Sequence, residues 1–157
     1  MDRRRVVLIA EDSERDAEVA IQAFKEPPRW QVVWVEDGVA ALEVLRHKGK
    51  HASTPVPDLL ILSIQMPRMR GPEVLCRVKE TSGLSGLPVV MWSVCDDEYQ
   101  IERLYQMGAA AYVAKRVDRE EEAEQLRAVR RFWDVAALPQ CRAPDTLSLQ
   151  GDRAHSR

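Results

Sequence analysis

Short unbroken apolar runs alternate along this chain with stretches in which apolar residues recur every three or four positions. Val6–Ala10 is a compact run without polar alternation, the pattern of a strand buried on both faces. Ser13 then stands where a helix N-cap belongs, with Asp16 in a capping-box-like place, and Ala17, Ala20, Ile21 and Phe24 share one helical face. Pro27 and Pro28 end that helix. Gln31–Glu36 predicts the next strand. Asp37 caps a helix carrying Ala41, Leu42 and Leu45, and Gly49 closes it. Residues 50–57 have the composition of a loop.

Leu59–Leu62 is the most apolar stretch and predicts the central strand. Pro72 suits a first helical position, ahead of a buried stripe of Val74, Leu75 and Val78. Pro88 opens a strand over Val89–Trp92. Asp96 caps a helix with Ile101, Leu104 and Tyr105 inward and Gly108 at its end. Ala111–Ala114 is a short last strand. Asp118 caps a final helix, with Glu121 at its third position, Ala123, Leu126 and Val129 along one side, and Phe132 and Trp133 at its end. Residues 1–138 thus predict one domain, and residues 139–157, polar and without period, a disordered tail. Strand then helix, about five times over, predicts an α/β fold. Its form is a three-layer α/β/α sandwich around a five-stranded parallel sheet, doubly wound as in flavodoxin-like folds. Ligands of such folds sit at the carboxyl ends of the strands.

Composition narrows the function. With 45% hydrophobic and 31% charged residues in 157, the chain reads as a soluble globular protein. A net charge of −2 argues against a nucleic-acid binder, and no apolar run approaches the length of a membrane span. Arg3-Arg4-Arg5 reads as a solvated lead-in to the first strand. The apolar run behind it is too short for export. Cys76, Cys95 and Cys141 lack metal-like spacing and fit a reducing cytoplasm. His47, His51 and His155 are scattered and read as surface residues.

Candidate chemistry collects at the predicted strand ends. Glu11 and Asp12 follow the first strand, Ser63 the third, Ser93 the fourth and Lys115 the fifth. With Met66-Pro67-Arg68-Met69 and Gly71, this order resembles the receiver domain of bacterial response regulators, over roughly residues 5–133. The resemblance implies a role for each place. Glu11 and Asp12 would be the acidic metal-binding pair, Ser93 the switch hydroxyl, Tyr112 the switch aromatic and Lys115 the phosphate-contacting lysine. Ser63 stands in the slot of the phosphoacceptor aspartate.

Departures from the family pattern shape the expectation. A serine hydroxyl is a poor nucleophile without an adjacent base, and its phosphoester would be stable rather than transient. Losing a charged oxygen should weaken Mg²⁺ binding at Glu11 and Asp12, so no cofactor is required. Arg116 replaces the proline that usually follows the lysine. A cis bond there would cost about 2.5–4 kcal/mol, so Lys115–Arg116 is expected either trans with Lys115 displaced, or cis under strain. Arg70 replaces an aspartate and is placed either in solvent or leaning toward Glu11 and Asp12.

Residues 130–139 resemble the end of single-domain regulators paired with bacterial phytochrome kinases. Adjacent aromatics on a helix point about 100° apart, so Phe132 and Trp133 cannot both face one core. They are candidate contacts of a homodimer, unless Trp133 packs back on its own domain. The resulting expectation is a cytoplasmic, non-enzymatic, atypical receiver. It would bind a sensor histidine kinase, of phytochrome type, or another signalling protein through the face of its fourth helix, fifth strand and fifth helix. One rival is an active phosphorelay member using Ser63 or Asp12 as acceptor. The other is a flavodoxin-like flavin site or a serine hydrolase. Against the second stand the lack of a Gly-rich loop after the first strand, of a Gly-x-Ser-x-Gly elbow at Ser63, and of a histidine placed as base.

Overall fold

A computed structural model describes residues 3–141. Within them strand and helix alternate: β1 Val6–Ala10, α1 Glu14–Lys25, β2 Gln31–Val35, α2 Gly38–Leu45, β3 Leu59–Leu62, α3 Gly71–Glu80, β4 Val89–Ser93, α4 Glu98–Gln106, β5 Ala111–Ala114 and α5 Arg119–Val135. All pairings are parallel and the strand order is β2-β1-β3-β4-β5. The expected doubly wound α/β/α architecture is the observed one.

Side-chain alternation along the strands builds two cores. Leu8, Ala10, Leu60, Leu62, Val89 and Met91 face α2, α3 and α4. Val7, Ile9, Leu59, Ile61, Val90 and Trp92 face α1 and α5. Successive strand residues point to opposite faces, so a strand covered on both sides must be apolar throughout. Each fully buried Leu or Ile contributes roughly 1.5–3 kcal/mol, which makes these continuous runs the main stabilising element.

Capping sets the helix starts. The Ser13 hydroxyl accepts from the Asp16 N–H, Asp37 from Ala40 and Asp118 from Glu121, as the sequence predicts. Several details differ. The cap of α4 is Asp97, and Tyr105 on that helix is 47% exposed rather than inward. Helix α2 ends at Leu45; His47 takes a positive φ, and Gly49 opens a short 3-10 turn rather than closing the helix. His47 and His51 are half-buried, not surface residues. Pro72 is the second residue of α3, behind Gly71.

The ends of the described segment make several ties. Arg3 pairs with the buried Asp58, Arg4 donates to the Arg29 carbonyl, and Arg5 donates to the carbonyls of Trp133 and Ala136. The arginine run is therefore a set of structural ties and not a free lead-in. Cys141 packs against the α2–α3–α4 core. The rest of the predicted tail, and His155 within it, lies outside the described residues.

Candidate functional site

Register brings the candidates to one rim. Ala10 pairs with Leu62, Leu62 with Met91, and Ser93 with Ala114. The ladder continues one step past the strands: the Ser63 N–H donates to Ala10, Glu11 to Val35 and Lys115 to Ser93. Residues scattered over a hundred positions thus end side by side at the carboxyl edge of the sheet, flanking the point between β1 and β3 where the strand order reverses.

Glu11 is the buried member of the acidic pair, at 1% exposure. Its Oε1 lies 3.1 Å from Lys115 Nζ and accepts from the Ser13 N–H at 3.3 Å. Its Oε2 is buried without a partner. Burial pushes the carboxyl above its ordinary range, opposed by Lys115, the Ser63 hydroxyl and the Ser13 N–H. Asp12, next along, is exposed.

Ser63 is buried, and its hydroxyl has a long donor contact of 3.5 Å to the Gln65 carbonyl. Its own carbonyl packs on Gly71, whose N–H donates to Ile64 at 2.9 Å. Ser93 is also buried, and its Oγ accepts from the Cys95 N–H. Tyr112 lies partly buried against the core, with its hydroxyl donating to the Cys95 carbonyl at 2.5 Å and its N–H donating to the Tyr105 hydroxyl. Burial raises the Tyr112 pKa, opposed by Ser93. Ser93 and Tyr112 therefore both hold the segment that follows β4.

The Lys115–Arg116 peptide is trans, yet Lys115 stays at the rim beside Glu11, so the expected displacement does not accompany it. Its ammonium sits 2.8 Å from Asp16 Oδ2 and 3.1 Å from Glu11 Oε1, and 4.7 Å from the centre of the Trp92 ring. Burial works to depress its pKa. The carboxylates of Asp16 and Glu11 outweigh that and hold it above lysine's ordinary value. Arg70 does not lean on the acidic pair. It is exposed and lines an open groove of about 660 Å³ between α3 and α4 with Cys76, Tyr99 and Met107. Arg68 makes the notable contact of that loop instead, a fork of two 2.9 Å bonds to Asp37.

Two site residues escape the sequence reading. Asp16 is legible there as a capping neighbour, although its spacing of four from Asp12 puts it one helical turn above the rim. Glu122 is 5% exposed, with Oε1 buried and unpartnered. Its pKa is raised by burial and by Asp16, against the pull of Lys115 and Arg15. The fully buried residues of α5 are Glu122, Leu126 and Arg130; Val129 packs partly buried against the α1–α5 core, as the sequence predicts, and Ala123 is half-buried. The spacing of four from Leu126 was the signal.

At the end of α5 the two aromatics meet edge to face at 4.9 Å but differ in burial. Trp133 packs against the α1–α5 core, whereas Phe132 is 60% exposed. Trp30 Nε1 donates to Asp134 at 2.7 Å and fixes this end of the helix.

Comparison with known proteins agrees with this geometry. Residues 7–127 match the family described as the response regulator receiver domain. The chain is 26% identical over 137 residues to the response regulator Rcp1 of Synechocystis sp., covering 86% of this chain and 93% of that one. Among solved structures it resembles the phosphorylated cyanobacterial phytochrome response regulator RcpA, at a TM-score of 0.83 and 28% identity over 87% of this chain and 99% of that one. It also resembles the Mn²⁺-bound form of Rcp1, at a TM-score of 0.82 and 26% identity over 86% and 99%.

Proposed function

This chain belongs to the response regulator receiver family, and from that membership we propose that it is a two-component signalling module that acts by binding partner proteins and does not accept phosphate on an aspartate. The observation that carries the reading is Ser63. Its N–H pairs with the Ala10 carbonyl next to Glu11, and it offers a hydroxyl in place of a carboxylate. The one carboxylate that borders it, Glu11, is ion-paired with Lys115 through Oε1, and a serine hydroxyl is a weak nucleophile unless a base takes its proton.

A divalent cation fits the rim in part. Glu11 Oε2 and the Asp12 carboxylate would hold Mg²⁺, which supplies charge neutralisation to an incoming phosphoryl group. Ser63 adds no charged oxygen, and among the described residues no group of three His, Cys, Asp or Glu is arranged to hold a metal. Such a site binds weakly, because affinity follows the number of charged ligands.

A binding role needs a surface, and the exposed large hydrophobic residues point to one. Val94, Tyr99, Tyr105, Val117, Phe132 and Val135, the exposed large hydrophobics among the described residues, all lie between the end of β4 and the end of α5. Tyr99 and Tyr105 stand on α4, and Phe132 and Val135 on α5, the two helices that flank edge strand β5. This face, built on edge strand β5, is the proposed docking surface for a cytoplasmic sensor kinase of phytochrome type, or for a second copy of the chain.

The test is incubation with a small phosphodonor and Mg²⁺, read by intact mass. No added mass is the expected result. An adduct labile to both acid and base would place phosphate on a carboxylate such as Asp12 and overturn the reading. An acid-stable adduct would make Ser63 the acceptor, with the same consequence.

A further inference from the structure

Lys115 is held in a way that leaves it nothing to offer a ligand. An ammonium has three N–H donors. Here one faces Glu11 Oε1 at 3.1 Å and one Asp16 Oδ2 at 2.8 Å, and the ring of Trp92 lies 4.7 Å away on the remaining side. The Lys115 side chain is only 8% exposed. Trp92 is itself buried, so this cation–π contact is desolvated.

We infer that Asp16 is a positioning residue which, with Glu11 and Trp92, fixes Lys115 as a resident counter-ion of the acidic rim. The lysine then balances the buried Glu11 charge from inside the fold. Neither a divalent cation nor an anion is needed to make the site stable, as suits a rim without the central carboxylate. Helix α1 supplies the extra ligand because its Ser13 cap fixes the first turn, which brings Asp16 over the Lys115 head. Arg15 and Glu122 act on the same cluster, and Glu122 is displaced toward its neutral form. The inference does not depend on whether Ser63 is ever modified.

The experiment measures labelling of individual lysines by an amine-reactive ester, read by peptide mass, on the full-length protein. In the parent, Lys115 should label much more slowly than the exposed Lys25. Asp16→Asn should speed Lys115 labelling several-fold. Glu14→Gln, which removes a charge from the same helical turn without a contact to Lys115, should leave it unchanged. Asp16→Glu, which keeps the charge, should restore most of the protection. Far-UV circular dichroism verifies that each variant is folded. Lys115 labelling as fast as Lys25 in the parent would overturn the inference without any variant. So would equal labelling in Asp16→Asn and the parent, or equal acceleration by Glu14→Gln.

Discussion

A Cβ placed on Gly71 would stand 2.1 Å from the carbonyl oxygen of Ser63. The first residue of α3 and the residue at the acceptor position thus touch through backbone alone. The Gly71 N–H also closes on the Ile64 carbonyl, which makes the loop between β3 and α3 a tight return. The obstacle is backbone, which cannot swing aside as a side chain can. Gly71→Ala is therefore expected to destabilise the fold by about 1–3 kcal/mol through overpacking. Chemical denaturation of the two proteins measures it.

Ser63→Asp restores a third carboxylate to the rim. With Glu11 Oε2 already unpartnered beside it, Mn²⁺ affinity should rise on the order of tenfold or more, since each charged oxygen strengthens such a site. Calorimetric titration of parent and variant is the check. Equal affinities would mean that Lys115 blocks the cation however many carboxylates are present.

Glu122 carries a pH signature. Its folded pKa is raised, so the folded state binds its proton more tightly than the unfolded state does. Stability from this group is present below the ordinary glutamate range and is lost as pH rises through the folded pKa. Glu122→Gln removes that loss. The variant should match the parent near pH 4 and become the more stable of the two toward pH 7. Denaturation midpoints across that range test the sign.

Arg130 ties α5 to α1. It is 6% exposed and donates to the Ala23 carbonyl at 3.0 Å, with Glu26 and Asp134 within 3.5 Å. Arg130→Ala removes both the buried stem and the bond, and should cost about 1–3 kcal/mol. Thermal unfolding reads the change.

Phe132 and Trp133 should respond oppositely. Trp133→Ala opens the α1–α5 core and is expected to cost about 2–3 kcal/mol, less than a fully buried ring. Phe132→Ala should leave monomer stability nearly unchanged. If the exposed face joins two copies, it should also lower the mass seen by light scattering. A parent that scatters as a monomer at all concentrations would remove the dimer.

Period and punctuation alone determined the architecture. Buried parallel strands have to be apolar on both faces, and helix caps need a short side-chain oxygen, so Val6–Ala10, Leu59–Leu62, Ser13, Asp37 and Asp118 were legible in order. The strand-end residues Glu11, Ser63, Ser93 and Lys115 followed, because a parallel sheet gathers its carboxyl ends on one rim. What each of them touches was not legible. Which carboxylate holds Lys115 depends on how far α1 rotates over the rim, and that is set by packing between α1 and α5. The same packing buries Glu122 and Arg130 and turns Trp133 inward while Phe132 stays in solvent. Helical periodicity names a face to within about one residue step of 100°. Only the competition of neighbouring side chains for the same space decides the final angle.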